Sequence, residues 1–249
     1  MLVKNWMSKN VITIDVNDTM QDAMKLLKEH GIRMLPVMKK NRLVGIVTDR
    51  DLKQASASDA TTLEVHELLY LLTKINVKDI MTKDPITVSP DYTVEETAKV
   101  LLESKISGAP VVDDSGQIVG TITQADLFRV LISLTGVKNG GIQFGFQIKD
   151  KPGSIKEVED IIREYGGRIV SILTSYDDVP MGYRKVYIRM QSIEQPLLLI
   201  LKNKLSEIAA FLYMIDQRED NREIFLREDE LERRVRDEKE TAAEAFSSR

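Results

Sequence analysis

An α+β fold in two parts is predicted by three observations on the 249-residue chain. A segment of about 45 residues occurs twice, both copies run through strand and helix patterns in one order, and a different order begins after a glycine-rich joint. The segment MSKNVITIDVNDTMQDAMKLL, from Met7, returns from Met81 as MTKDPITVSPDYTVEETAKVL, an offset of 74. Pro36 and Pro110 keep that offset. One extra residue in a turn, DDSGQI against KKNRL, moves it to 75 for Gly45 and Gly120, Thr48 and Thr123, and Asp51 and Asp126.

Each copy reads as strand, helix, strand, strand, helix. The alternation in VITIDV and PITVSP predicts a short strand. Thr19 with Asp22, and Thr93 with Glu96, have the spacing of capping boxes, so a helix starts at each. Met20, Ala23, Met24 and Leu27, matched by Val94, Thr97, Ala98 and Leu101, give each helix one buried stripe. LPVM or APVV, a polar turn, and LVGIVT or IVGTIT then form a hairpin, and a last helix opens near Asp51 or Asp126. Two such units cannot each hide both faces of a small sheet. They are expected to pack on each other about a pseudo-twofold axis, where a cleft would be lined twice.

The feature kept in both copies is GIVTDRD, residues 45–51, and GTITQAD, residues 120–126. Thr three residues before Asp is itself a capping box and need only start a helix. The same residues also suit an anionic ligand. A strand running into a helix N-terminus offers free amides, a hydroxyl for phosphate and a carboxylate for ribose hydroxyls, and glycine lets a ligand approach the backbone. Chemistry alone leaves both readings open.

The paired units, with a proline-valine in the second strand and GhxTxxD before the last helix, resemble a tandem CBS domain, or Bateman module, over about residues 1–135. The resemblance implies binding of adenosine ligands such as AMP, ADP, ATP or S-adenosylmethionine. Thr48 and Thr123 would then lie near phosphate and Asp51 and Asp126 on ribose, with Gly45 and Gly120 in the motif and Arg33 and Ser107 facing phosphate. It further implies sites between the repeats, with Thr123 and Asp126 facing Thr13, Met34 and Leu35, and Thr48 and Asp51 facing Thr87, Gly108 and Ala109. Arg33 against Ser107 makes the two sites unequal.

Between the copies QASASDATT reads as a helix-breaking stretch, followed by a helix carrying His66. A lone helical histidine is read as structural, and His30, before Gly31, as a partner of a helix C-terminus. The organisation is a first repeat over 1–55, a connecting segment and helix over 56–78, a second repeat over 79–135, a further domain over 141–215 and a charged extension over 216–249.

After the joint LTGVKNGG, IQFGFQI alternates as a strand, DKPGS turns, and Ile155, Val158, Ile161, Ile162 and Tyr165 sit at helical spacing. RIVSILTSY and YRKVYIRMQ form a hairpin before a helix from about Gln195 and a strand near FLYMI. The order is βαββαβ, the ferredoxin-like arrangement. The stretch FGFQIKDKPGSIKEVEDIIREYGGRIVSI resembles an ACT domain, which implies side-by-side dimerisation and, often, an amino acid bound near Asp150, Pro152, Gly153 and Ser154. Arg168 stands where that family commonly has Asn. Turn chemistry alone also explains Pro and Gly here. A CBS pair followed by an ACT domain resembles the acetoin-utilisation protein B family, associated with acetoin and acetate catabolism.

The composition bounds the chemistry. There is no cysteine and there are two histidines, which removes disulfides, thiolate metal sites and cysteine nucleophiles; no metal site and no catalytic cofactor is expected. The net charge of −4 disfavours nucleic acid as a partner. Residues 216–249 carry 12 acidic and 8 basic side chains and read as a solvated or disordered helix, with Ile224, Phe225, Leu226, Leu231 and Val235 as a narrow stripe for a partner. The longest aliphatic run, residues 197–201, is far too short to span a membrane, so a soluble, cytoplasmic protein is expected. Three functions compete: a regulatory protein sensing an adenine nucleotide through a homodimer, with an unknown protein target; a dimerisation module with vestigial sites; and an enzyme, disfavoured for want of a nucleophile or acid–base pair.

Overall fold

Thr19 and Thr93 start helices in the same way. In the first repeat Asp22 N–H donates to Thr19 Oγ1 (3.2 Å) and Thr19 N–H donates back to the Asp22 carboxylate (3.1 Å), opening α1 (Met20–His30). Met20, Ala23 and Leu27 are its buried face, and Gly31, at φ 61°, closes it in the left-handed conformation that glycine adopts without cost. The computed structural model in which this is seen describes residues 1–59 and 74–225. His66 and most of the helix expected over 56–78, and the stripe positions Leu226, Leu231 and Val235, lie outside those residues.

The rest of the first repeat is a small sheet. β1 (Ile14–Asp15) runs parallel to β2 (Met34–Lys39), which pairs antiparallel with β3 (Arg42–Thr48) from Met34 opposite Thr48 to Lys39 opposite Arg42. Lys40 and Asn41 between them both have positive φ, the two-residue turn that follows the twist of its strands. α2 (Asp49–Asp59) follows β3 directly. Beyond the gap come α3 (Val77–Ile80) and β4 (Thr82–Lys83), which adds to β3.

The second repeat follows the same plan with less sheet. α4 (Val94–Glu103) opens with the Thr93–Glu96 capping box. β5 (Gly108–Val112) and β6 (Ile118–Thr123) make a hairpin whose turn is tied by the Asp113 carboxylate, which accepts from the amides of Ser115 and Gln117. α5 (Gln124–Thr135) follows. The strand expected over PITVSP reduces to one parallel bridge, Val88 opposite Val111.

The repeats exchange their lead-in segments, which the expected boundaries at 1–55 and 79–135 do not capture. Residues 1–8 lie with the second repeat: Val94 N–H donates to Met1 O (2.8 Å), Val3 N–H to Tyr92 O (2.9 Å), and Val3 and Met7 join the core of Leu101, Ala109, Val111 and Ile122. In the first repeat Met20 N–H donates to Ile75 O (2.8 Å), Val77 N–H to Asp18 O (2.8 Å), and Ile75, Val77, Ile80 and Met81 pack among Leu27, Leu35, Val37 and Val47. Each of these bonds has its counterpart 74 residues away with the repeats interchanged, which is the signature of a pseudo-twofold relation.

The chain divides into units Met1–Val130 and Leu131–Arg249, a few residues before the expected joint. The second unit has a five-stranded antiparallel sheet in the order β11, β10, β7, β9, β8. Its strands are β7 (Ile142–Lys149), β8 (Ile169–Ser175), β9 (Tyr183–Met190), β10 (Ala210–Asp216) and β11 (Asn221–Ile224), with α6 (Ser154–Glu164) after β7 and α7 (Gln195–Ile208) after β9. Alternate residues of β7 and β9, among them Phe144, Phe146, Val186 and Ile188, form the core with Val158, Ile162, Leu201 and Leu205 of the helices. Phe146 and Phe211 meet edge to face at 4.8 Å. Gly141, at φ 89°, is required because a Cβ there would lie 2.1 Å from Met190 O.

β11 corrects the expectation that a solvated extension starts at residue 216. Tyr213 pairs with Ile224 and Asp216 with Asn221, and Asp216 is buried, its carboxylate accepting from Arg218 N–H (3.0 Å) and Arg218 Nη2 (3.2 Å). Phe225 packs against the core. An edge strand draws its stability from backbone pairing and tolerates charged side chains, so a charge run does not preclude one.

Candidate functional site

Both Thr-x-x-Asp motifs sit where a strand ends and a long helix begins. At the end of β3, Asp51 Oδ2 accepts from Thr48 N–H (2.8 Å) and Thr48 Oγ1 (2.7 Å), and Thr48 Oγ1 accepts from Asp51 N–H (3.3 Å). At the end of β6 the distances for Thr123 and Asp126 are 2.7, 2.6 and 3.4 Å. The capping reading of the sequence is therefore realised in full, and it uses one carboxylate oxygen. The other, Oδ1, points the chemistry elsewhere, and here the repeats differ. Asp126 Oδ1 accepts from Arg129 Nη2 at 2.5 Å, and the Asp126 side chain is only 4% exposed. Gln54 occupies the matching position in the first repeat, and Asp51, only partly buried, has no ion pair among the described residues. Arg129 was not singled out by sequence reasoning, although its place three residues beyond Asp126 is one at which helical side chains meet.

Gly45 and Gly120 have a different role from the one expected. A Cβ on Gly45 would lie 2.6 Å from Met81 Sδ and 2.9 Å from Thr82 O; on Gly120 it would lie 2.5 Å from Met7 Sδ and 3.0 Å from Ser8 O. The close approach that glycine permits is taken up by the exchanged lead-in of the other repeat, not by open space for a ligand. Leu35 and Ala109 are likewise committed: both are fully buried in the cores of their own repeats.

Arg33 and Ser107 stand beside the motif of their own repeat, because Asp49 N–H donates to Arg33 O (3.1 Å) and Gln124 N–H to Ser107 O (2.9 Å). Met34 pairs with Thr48 and Gly108 with Thr123, so these too are joined within one repeat. Among the described residues no hydrogen bond links a motif to the residues of the other repeat expected to face it. Thr13 is exposed just before β1. Thr87 lines an open cleft of about 620 Å³ with Arg42, Leu43, Asp84, Ser115 and Gln117, at the Arg42 end of β3, whereas Thr48 is at the opposite end. That cleft is built from the start of β3, the segment that follows β4 and the turn between β5 and β6, and contains neither motif.

The turn at Asp150, Pro152, Gly153 and Ser154 in the second unit is held by a residue not singled out in the sequence. Arg184 Nη2 donates to Ser154 Oγ (3.1 Å) and Arg184 Nε lies 3.4 Å from Asp150 Oδ1. Gly153, at φ 86°, precedes the first residue of α6. Arg168 is exposed, its carbonyl accepting from Gln191 N–H (2.8 Å). Arg189, almost fully buried, donates to Thr135 O, Gly140 O, Gln143 Oε1 and Gln217 Oε1, all neutral acceptors, and burial lowers its pKa. Among the described residues no group of three His, Cys, Asp or Glu could hold a metal ion, and no helix is long and apolar enough to cross a membrane.

Residues 3–58 and 77–133 match the CBS domain family. The chain is 36% identical over 134 residues to a CBS domain-containing protein of Dictyostelium discoideum, covering 53% of this chain and 92% of that one. It is 42% identical over 125 residues to the inosine-5'-monophosphate dehydrogenase of Korarchaeum cryptofilum, covering 50% of this chain but only 23% of the dehydrogenase. Among solved structures it is similar to the CBS domain pair of protein MJ0100 in complex with 5'-methylthioadenosine and S-adenosyl-L-methionine, at 34% identity and a TM-score of 0.46, covering 53% of this chain and 99% of that one.

Proposed function

The chain belongs to the CBS-domain family, and from that premise we propose that it is a non-catalytic regulatory protein whose paired repeats bind an adenosine ligand, AMP, ADP, ATP or S-adenosylmethionine. The observation that carries this reading is the twofold occurrence of a hydroxyl and a carboxylate at a helix N-terminus, with Asp51 Oδ1 not used by the cap and without a hydrogen bond among the described residues. In this reading the spare carboxylate oxygen accepts from ribose hydroxyls, while Thr48, Thr123 and the helix amides face phosphate. Arg33 and Ser107, beside the same helix starts, add a cation in the first repeat and a hydroxyl in the second. Thr13, Met34 and Gly108 complete the expected surroundings; Thr87 lines the cleft at the Arg42 end of β3, away from Thr48, and for Gly45, Gly120, Leu35 and Ala109 the packing described above is the role retained.

The second unit is read as an ACT domain that pairs two copies of the chain, consistent with its strand order. Arg184 already engages Asp150 and Ser154, which favours dimerisation over amino-acid binding at that turn. A ligand would act by binding one arrangement of the repeats better than another, and can shift that equilibrium by no more than its difference in affinity. The setting proposed is acetoin- or acetate-type carbon metabolism in the cytoplasm, with a protein as the target.

Calorimetry of the full chain with each of the four ligands tests the reading. Micromolar binding that disappears in the double variant Asp51→Ala, Asp126→Ala, with folding checked by circular dichroism, is the expected result. Absence of binding to all four overturns it.

A further inference from the structure

Resting on the reading just given, we propose that the two motifs are not equivalent binding sites: Asp51 is open to a ribose diol, whereas Asp126 is latched by Arg129, which a ligand must displace. Both carboxylates spend Oδ2 on the helix cap, at 2.7–2.8 Å in the first repeat and 2.6–2.7 Å in the second. What a diol can use is Oδ1. In the second repeat that oxygen is held at 2.5 Å by a guanidinium, a charge-assisted bond of the strong kind, and its side chain is nearly inaccessible.

The first repeat lacks each part of this device. Gln54 stands where Arg129 does; of the two basic side chains flanking Asp51 on α2, the exposed Arg50 makes no ion pair with it among the described residues, and Lys53 is turned to Asp49 at 3.5 Å. Asp51 is partly exposed, and its Oδ1 accepts no hydrogen bond among the described residues. The difference has a physical logic: a carboxylate buried as deeply as Asp126 requires a cation or equivalent donors, whereas one as accessible as Asp51 is satisfied by water until a ligand arrives. Arg129 is itself 66% exposed, so it can swing away, and the latch weakens the second site without abolishing it. A first ligand therefore occupies the Asp51 motif. Binding at the second releases Arg129 into solvent, and the two steps report different ranges of concentration.

Reciprocal substitution tests this. The full chain is titrated calorimetrically with AMP and, in parallel, with S-adenosylmethionine, which share a ribose diol. Two steps separated by about tenfold or more in Kd are expected. Arg129→Gln tightens the weak step by about tenfold and leaves the tight one unchanged; Gln54→Arg weakens the tight step by a similar factor and leaves the weak one. Both changes are at exposed positions, and thermal melting of each variant checks that the fold persists. Two equal steps in the unaltered chain overturn the inference while leaving the binding reading intact. So does an unchanged weak step in Arg129→Gln, or an unchanged tight step in Gln54→Arg. No heat with either compound in any variant overturns the binding reading itself, and the inference with it.

Discussion

The first repeat carries a four-stranded sheet, the second only the hairpin of β5 and β6 with single bridges beside it. Yet the lead-in exchanges match bond for bond: Met1 with Val94 as Ile75 with Met20, Met7 on Gly120 as Met81 on Gly45. Symmetry has been kept where each repeat receives a piece of the other, since a change there disturbs two cores. It has relaxed in sheet length, in core volume and in the side chain opposite the motif carboxylate, where each repeat stands alone.

The largest break in the comparison is expected in the core. Leu35 and Ala109 occupy matched positions and both are fully buried. Leu35→Ala, which makes the first repeat like the second, is expected to cost about 2–5 kcal/mol, because the neighbours built around a leucine cannot close the cavity. A fall in the urea midpoint at constant slope is the readout.

The exchanged segments come next. Gly45→Ala and Gly120→Ala are each expected to lose about 1–3 kcal/mol, by nearly equal amounts, through overpacking against Met81 and Met7. Adding Met7→Ala to Gly120→Ala is expected to recover part of that loss, since the closest clash is with the Met7 side chain; strictly additive effects in the double-mutant cycle would refute the contact. Thr97 tests an imperfection of the second repeat. It is fully buried with its hydroxyl unpartnered, where the first repeat has Ala23. Thr97→Val is expected to raise stability by about 1–2 kcal/mol, seen as a higher Tm.

The smallest effect is at the helix caps. Thr19→Ala is expected to cost ~1 kcal/mol at neutral pH. The Thr19 hydroxyl, and then its backbone N–H, hold the Asp22 carboxyl below its usual pKa. The ionised carboxylate therefore contributes stability above the unfolded-state pKa, and that contribution fades as pH falls through the lower folded value. The gap between Thr19→Ala and the unaltered chain is expected to narrow in acid; a gap constant down to strongly acid pH would show that the carboxylate plays no part.

Much of this was legible in the residue pattern. The caps at Thr19 and Thr93, the stripes they introduce and the hairpins at residues 39–42 and 113–117 follow from spacing and turn chemistry that act within a few residues. The exchange was not, because it joins segments far apart whose own sequences lack periodicity. A signal was present: Val3 and Val77 extend the offset of 74 upstream of Met7 and Met81, where the recognised repeat starts. Gly45 and Gly120 were read as space for a ligand because glycine reports only that something comes close, not what. β11 was hidden by its charges, and Arg129 by the attention that the motif draws to its threonine and aspartate.

The lead-in exchange makes the two repeats an interlocked pair. A chain cut between residues 60 and 73 would yield one fragment holding Val3 and Met7, which fill the other's core, and a second holding Val77 and Met81, which fill the first's. Neither piece contains everything needed to close its own interior. The halves thus form a natural split protein, in which reassembly is complementation and a copy of one repeat inherited alone would be a lock without its key.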